Sequence, residues 1–174
     1  HTPSQLLTRM RYNENCAVVC AVYPHKQHPC HGMVFRGNGK GPFMNWRAGD
    51  FFEISGCGMG ATMIRTSVFK QLEKPYFKTI HDESKLPDGQ NNILQYTEDL
   101  FFTDKLRGLK NPETGQPWEL WADGSLLCEH WDISGKAYFF EADSYVLKQI
   151  AVPKGKKKIL DIGAGESPYK SDEG

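Results

Sequence analysis

Thr97-Glu98-Asp99-Leu100-Phe101-Phe102 sets two carboxylates at the start of an expected helix, and Leu126-Leu127-Cys128-Glu129-His130-Trp131 ends a strand-like run in a histidine. A carboxylate in such a place can take a proton from a substrate hydroxyl. It can equally do no more than favour the helix dipole, and the residues alone leave both readings open. The imidazole has a similar choice between binding a metal and packing. The spacing predicts that the Thr97 hydroxyl caps the helix and that Leu100, Phe101, Leu106 and Leu109 bury one face, leaving Thr103, Asp104, Lys105 and Arg107 toward water. Gly108 reads as the stop, and Asn111-Pro112-Glu113-Thr114-Gly115 as a turn-rich loop.

Upstream, Gly49-Asp50-Phe51-Phe52-Glu53-Ile54-Ser55 reads as a strand running into the turn Gly56-Cys57-Gly58-Met59-Gly60, followed by Met63-Ile64-Arg65 and a short helix from Ser67 to Leu72. Glycines at this density permit positive φ and a close approach of backbone to a ligand. They also suit a tight strand-to-helix turn, and the block lacks a dinucleotide fingerprint. Trp121 and Trp131 are candidate stacking walls, with ordinary core packing as the competing reading.

In their order along the chain, Gly58-Met59-Gly60, Met63-Ile64-Arg65, Glu98-Asp99, Leu120-Trp121-Ala122-Asp123 and Glu129-His130 resemble the carboxy-terminal half of a GT-A type glycosyltransferase of the family 2 kind. The resemblance implies an α/β domain over residues 1–150, a GT-A-like mixed sheet with flanking helices that lacks its amino-terminal part. It implies transfer of a sugar from a nucleotide-sugar donor to a glycan or other hydroxyl acceptor, with inversion. Asp99 is then the general base, with Glu98 beside it as the second carboxylate of the catalytic pair. Gly58, Met59 and Gly60 line the acceptor or sugar pocket, with Trp121 and Trp131 beside them. His130 is a ligand of a divalent cation, Mn²⁺ or Mg²⁺, that stabilises the diphosphate leaving group. The acidic D-x-D motif of such enzymes is expected before His1, since Thr2 and Pro3 look like the opening of the helix that follows it, running through Gln5-Leu6-Leu7-Thr8-Arg9-Met10.

At the other end, Ile159-Leu160-Asp161-Ile162-Gly163-Ala164-Gly165 resembles the first strand and glycine loop of an S-adenosylmethionine-dependent methyltransferase, so Asp161, Gly163 and Gly165 are expected to be the start of a cofactor site belonging to a second, Rossmann-like domain over 159–174. Residues 151–158, with Pro153, Gly155 and Lys154, Lys156, Lys157 and Lys158, read as an exposed linker. Without the missing parts, the chain as given is expected to bind neither a nucleotide sugar nor S-adenosylmethionine. Two other classes remain: a methyltransferase with an amino-terminal recognition module, and a noncatalytic carbohydrate-binding protein.

Composition bounds the rest. A chain of 174 residues with 39% hydrophobic content can bury one core, and a formal net charge of +0 argues against a nucleic-acid partner. No apolar run reaches the length of a membrane-spanning helix. The five cysteines, Cys16, Cys20, Cys30, Cys57 and Cys128, form an odd set within apolar stretches, which suits free thiols in a reducing cytoplasm. Cys16-Ala17-Val18-Val19-Cys20-Ala21-Val22-Tyr23 reads as a strand buried on both faces. His25, His28, Cys30 and His31 lie in a proline-containing stretch without a second ligand pair, and read as a polar loop. Residues 35–46 read as an irregular excursion and 80–95 as a second polar loop, suited to a lid or to acceptor recognition.

Overall fold

The computed structural model describes residues 2–26, 31–37, 41–85, 91–141 and 144–151. The expected linker beyond Ala151, the methyltransferase-like segment with Asp161, Gly163 and Gly165, and the positions of His28 and Cys30 lie outside these residues. In chain order the elements are α1 (Thr2–Tyr12), β1 (Cys16–Val22), β2 (Val34–Phe35), β3 (Phe51–Ile54), β4 (Gly56–Cys57), β5 (Thr62–Ile64), a 3-10 turn (Thr66–Lys70), β6 (Ile80–Lys85), β7 (Asn91–Tyr96), α2 (Glu98–Leu106), β8 (Glu119–Leu127), β9 (His130–Trp131), β10 (Lys136–Glu141) and β11 (Ser144–Ala151). The protein is a mixed α/β fold with few helices. Its central sheet has the order β3-β8-β1-β5, with β1 parallel to β8 and the two outer strands antiparallel to their neighbours.

The sequence of β1 dictates its central place. All seven residues are buried, because each face of the strand meets a separate apolar cluster. Val19 and Ala21 join Leu6 and Met10 of α1 on one face, while Val18, Cys20 and Val22 join Phe102 and Leu106 of α2 on the other. A register shift between Cys16 and Val18 lets both Ala17 and Val18 reach the α2 side. Arg65 fastens the end of α1 to this sheet. Its guanidinium donates to the carbonyls of Met10 (2.9 Å), Asn13 (3.2 Å) and Cys16 (3.1 Å), so the arginine of the Met63-Ile64-Arg65 run satisfies backbone groups at a helix terminus.

Asp123 in β8 plays a comparable part. It is buried, 1% exposed, and accepts from Arg9 of α1 at 2.7 Å and from the Ser125 N–H at 3.0 Å. Burial alone would push its carboxyl up, but the Ser125 hydroxyl and N–H and the Arg9 guanidinium outweigh burial and hold it below the ordinary carboxylate value. A carboxyl depressed in the folded state stabilises fully above its unfolded pKa, and that contribution is lost as pH falls through the folded value. Asp123→Asn is therefore expected to cost about 2 kcal/mol at pH 7. It should also flatten the acid-side decline in stability, as read by urea melts at neutral pH and in acid. An unchanged acid slope would show that the Arg9–Asp123 pair does not stabilise the fold.

Several expectations are corrected. Of residues 80–95, read as a loop, 80–85 and 91–95 are strands: β6 and β7 pair antiparallel from Ile80↔Tyr96 to Lys85↔Asn91. Part of the excursion after Phe35 is pinned by an antiparallel bridge to Pro42. Thr97 occupies the N-cap of α2 but makes no capping bond with its side chain. The buried face of α2 is Phe102, Thr103 and Leu106, since Phe102 fits between Phe69 (5.5 Å between ring centres) and Phe77 (4.8 Å). Thr103 tolerates burial because its hydroxyl donates to the Asp99 and Leu100 carbonyls, each at 3.2 Å. Gly108 does terminate the helix, at φ +84. Cys16, Cys20, Cys57 and Cys128 are free thiols, as expected for them. No helix among the described residues is long and apolar enough to cross a membrane.

Candidate active site around Tyr23, Asp99 and His130

The carboxylate, the glycine turn and the histidine meet at the carboxyl end of β1. The chain leaves β1 through Tyr23 and Pro24, and three backbone bonds gather the other elements there. Met33 donates to the Tyr23 carbonyl (2.9 Å), Gly58 donates to the Met33 carbonyl (2.9 Å), and Cys128 donates to the Val22 carbonyl (2.9 Å). The parallel pairing of β8 with β1 thus delivers the segment after β8 to Pro24. There the His130 Nδ1 lies 2.8 Å from the Pro24 carbonyl oxygen.

A carbonyl can only accept, so Nδ1 of His130 carries the proton and Nε2 presents its lone pair. Burial is the main cause lowering the His130 pKa, opposed by the Pro24 carbonyl, while the charges of Lys26 and His25 push it further down. The ring is therefore neutral at pH 7, the form in which imidazole binds a metal. A backbone carbonyl holding the far nitrogen is the usual support of a metal-ligating histidine. His130 fits that role as a single ligand. Among the described residues no group of three or more His, Cys, Asp or Glu side chains could hold a metal ion. The His25 and His31 rings stack at 4.9 Å beside this corner, joined by a bond from the His25 N–H to the His31 carbonyl (2.8 Å).

Asp99 sits in the first turn of α2, half-buried, with one oxygen 3.4 Å from the Met59 N–H. Burial raises its pKa above the ordinary value, the neighbouring Glu98 raises it further, and the Met59 N–H partly counters both. Glu98 itself is exposed and accepts from the Thr79 hydroxyl at 3.1 Å. The pair divides into a carboxylate anchored by the glycine turn and one facing solvent.

The turn has a different physical basis from the expected one. Gly56, Gly58 and Gly60 are not among the glycines with positive φ. They are small because something lies against them. A Cβ on Gly58 would fall 2.0 Å from the Tyr23 hydroxyl oxygen, one on Gly60 2.9 Å from Tyr23 Cζ, and one on Gly56 3.0 Å from both Leu100 and Thr103 of α2. Gly56 also belongs to β4 and not to the turn. The space beside Gly58 and Gly60 is filled by a tyrosine ring, while the Met59 side chain packs against the core cluster. The Gly60 N–H donates to the Tyr23 hydroxyl at 3.1 Å, and the Thr62 hydroxyl donates to the Gly58 carbonyl at 3.0 Å.

The two tryptophans have partners of their own. Trp121 lies on the α1 side of the sheet, stacked on Phe51 at 4.8 Å with its indole N–H donated to Glu119 at 2.8 Å. Trp131 donates to Glu129 at 2.9 Å and faces Ala137 across β9 and β10. The residue that sequence reasoning missed is Tyr23. Its only signal was a hydroxyl-bearing ring closing an otherwise apolar strand just before Pro24.

No family model matches the sequence, and no curated protein matches it. Among solved structures, one titled "Crystal Structure of A197 from STIV" is similar at 22% identity with a TM-score of 0.46, over 88% of this chain and 62% of that one. The chain thus spans about 62% of the length of that structure.

Proposed function

We propose that this is a GT-A-like domain of an inverting, nucleotide-sugar-dependent glycosyltransferase. The observation that supports it most is the Asp99 carboxylate, held at a helix start by the Met59 N–H and kept more basic than an ordinary aspartate by burial and by Glu98. A base for an acceptor hydroxyl needs a carboxylate that is ionised at working pH yet has a raised proton affinity. Asp99 takes the hydroxyl proton as that oxygen bonds to the anomeric carbon. The bond from that carbon to the diphosphate breaks on the opposite face, and the leaving group departs with the electron pair. The metal, when bound, supplies Lewis-acid stabilisation of that diphosphate. His130 would offer Nε2 as one ligand, oriented by the Pro24 carbonyl.

The test is transfer from a panel of nucleotide sugars by the protein at its full natural length, with Mn²⁺ or Mg²⁺ present and the product's anomeric configuration read by NMR. Inversion is expected, and a retained configuration would overturn the assignment of a single base. His130→Ala is expected to raise the metal concentration for half-maximal activity by about 10-fold or more, since even the partners of a ligand are worth 10–100-fold. An unchanged metal requirement would return His130 to a packing role.

A further inference from the structure

We infer that Tyr23 is the positioning residue of this site, one side chain that fixes the glycine turn presented to Asp99 with its hydroxyl and braces His130 with its ring. The inference rests on the reading of Asp99 and His130 given above. The geometry is specific. The Tyr23 hydroxyl accepts from the Gly60 N–H at 3.1 Å, and its ring meets the His130 ring edge-on at 5.1 Å between centres. Gly58 and Gly60 both lie so close to the phenol that neither has room for a methyl group. Between those two glycines stands Met59, whose N–H points at Asp99. A shift of the phenol therefore moves the donor on which the Asp99 carboxylate rests, and also frees one flank of His130.

The ring is 7% exposed, so it is held by packing on all sides and can serve as a fixed reference. Burial, with the Asp99 charge adding to it, pushes the phenol's pKa well up against the opposing Gly60 N–H, so the group keeps its proton and does not itself act as a base. Cys57 and Cys20 also face it electrostatically, and both add to the same direction. Its role is to hold others in place.

Two variants separate the two halves of this role. Tyr23→Phe keeps the ring and deletes the hydroxyl, which releases the Gly60 N–H. With the turn loosened, the Met59 N–H holds Asp99 less well, and that bond is what lowers the Asp99 pKa. The Asp99 midpoint, followed by ¹³C NMR of the side-chain carboxyl, is expected to rise by about half a pH unit. Tyr23→Leu also removes the ring contact, so at fixed pH the His130 ring proton resonances should shift, whereas Tyr23→Phe leaves them in place. In the full-length enzyme Tyr23→Phe should lower kcat by about 10-fold with the donor KM unchanged, because a misplaced base costs rate and not ground-state binding.

An Asp99 midpoint that does not move in a folded Tyr23→Phe protein would overturn the inference. Should either variant fail to fold, amide exchange of the wild-type protein decides: slowed exchange of the Gly60 N–H supports the hydroxyl bond, and exchange at the rate of an open amide overturns it. These readings do not depend on sugar transfer. A shifted Asp99 midpoint in a protein that transfers no sugar leaves Tyr23 in its role and removes the transferase reading, whereas transfer with an unmoved Asp99 midpoint does the reverse.

Discussion

Asp99→Asn is expected to lower sugar transfer by about two orders of magnitude or more, with donor binding intact. The substituted amide keeps the shape and retains an oxygen that can accept from the Met59 N–H, so the turn stays in place and the basicity alone is removed. Loss should therefore fall on kcat. The pH profile carries a second signature. A base works only when ionised, so activity falls as pH drops through the Asp99 pKa, and that acid limb should lie above the range of an ordinary aspartate because burial, then Glu98, raise it. Glu98→Gln deletes a like charge and should move the limb to lower pH. Wild-type turnover by Asp99→Asn would sink the assignment, and so would an acid limb indifferent to Glu98→Gln.

The parts of this molecule legible from sequence are those whose cause is local. The uninterrupted apolar run of β1 announces burial on both faces, and Gly108 announces a helix end because the backbone there takes positive φ. The glycines at 58 and 60 announce only that something must be close. What lies close is Tyr23, 37 positions from Gly60, and no rule of spacing connects them. The α2 helix of nine residues is too short and too evenly apolar for its pattern to fix which side faces inward, and the aromatic slot between Phe69 and Phe77 decides in favour of Phe102. In β6, the polar sequence Ile80-His81-Asp82-Glu83-Ser84-Lys85 offers no apolar alternation by which a strand would be read. Asp123 looked like part of a functional motif, yet its partner is Arg9, 114 positions away, and the two serve to join α1 to the sheet. The resemblance placed Asp99 and His130 in one site. Tyr23 touches the His130 ring and, through the Gly60 N–H, the turn whose Met59 N–H reaches Asp99.

Gly58→Ala tests that arrangement most severely, and it is expected to be among the most destabilising single-methyl additions in the protein. The backbone at Gly58 has no positive φ, so alanine can adopt the local conformation and the cost is one of space. The added carbon would lie 2.0 Å from the Tyr23 hydroxyl oxygen, 2.9 Å from Cζ and 3.3 Å from the Met33 Cβ. Neither neighbour yields cheaply, since the tyrosine is buried beside the core strand and Met33 is bonded through its backbone to both Tyr23 and Gly58. Overpacking of this kind costs about 3 kcal/mol. The cause can be isolated with a double-mutant cycle in denaturant. Tyr23→Phe removes the atom at 2.0 Å while keeping the ring, so Gly58→Ala in that background should lose clearly less stability than in the wild type. Additive losses, or an alanine tolerated without change in the melting midpoint, would mean that the turn does not rest on the phenol. The mechanical link from Tyr23 to Asp99 would then have to be abandoned, because a turn with room for a methyl group does not fix the Met59 N–H.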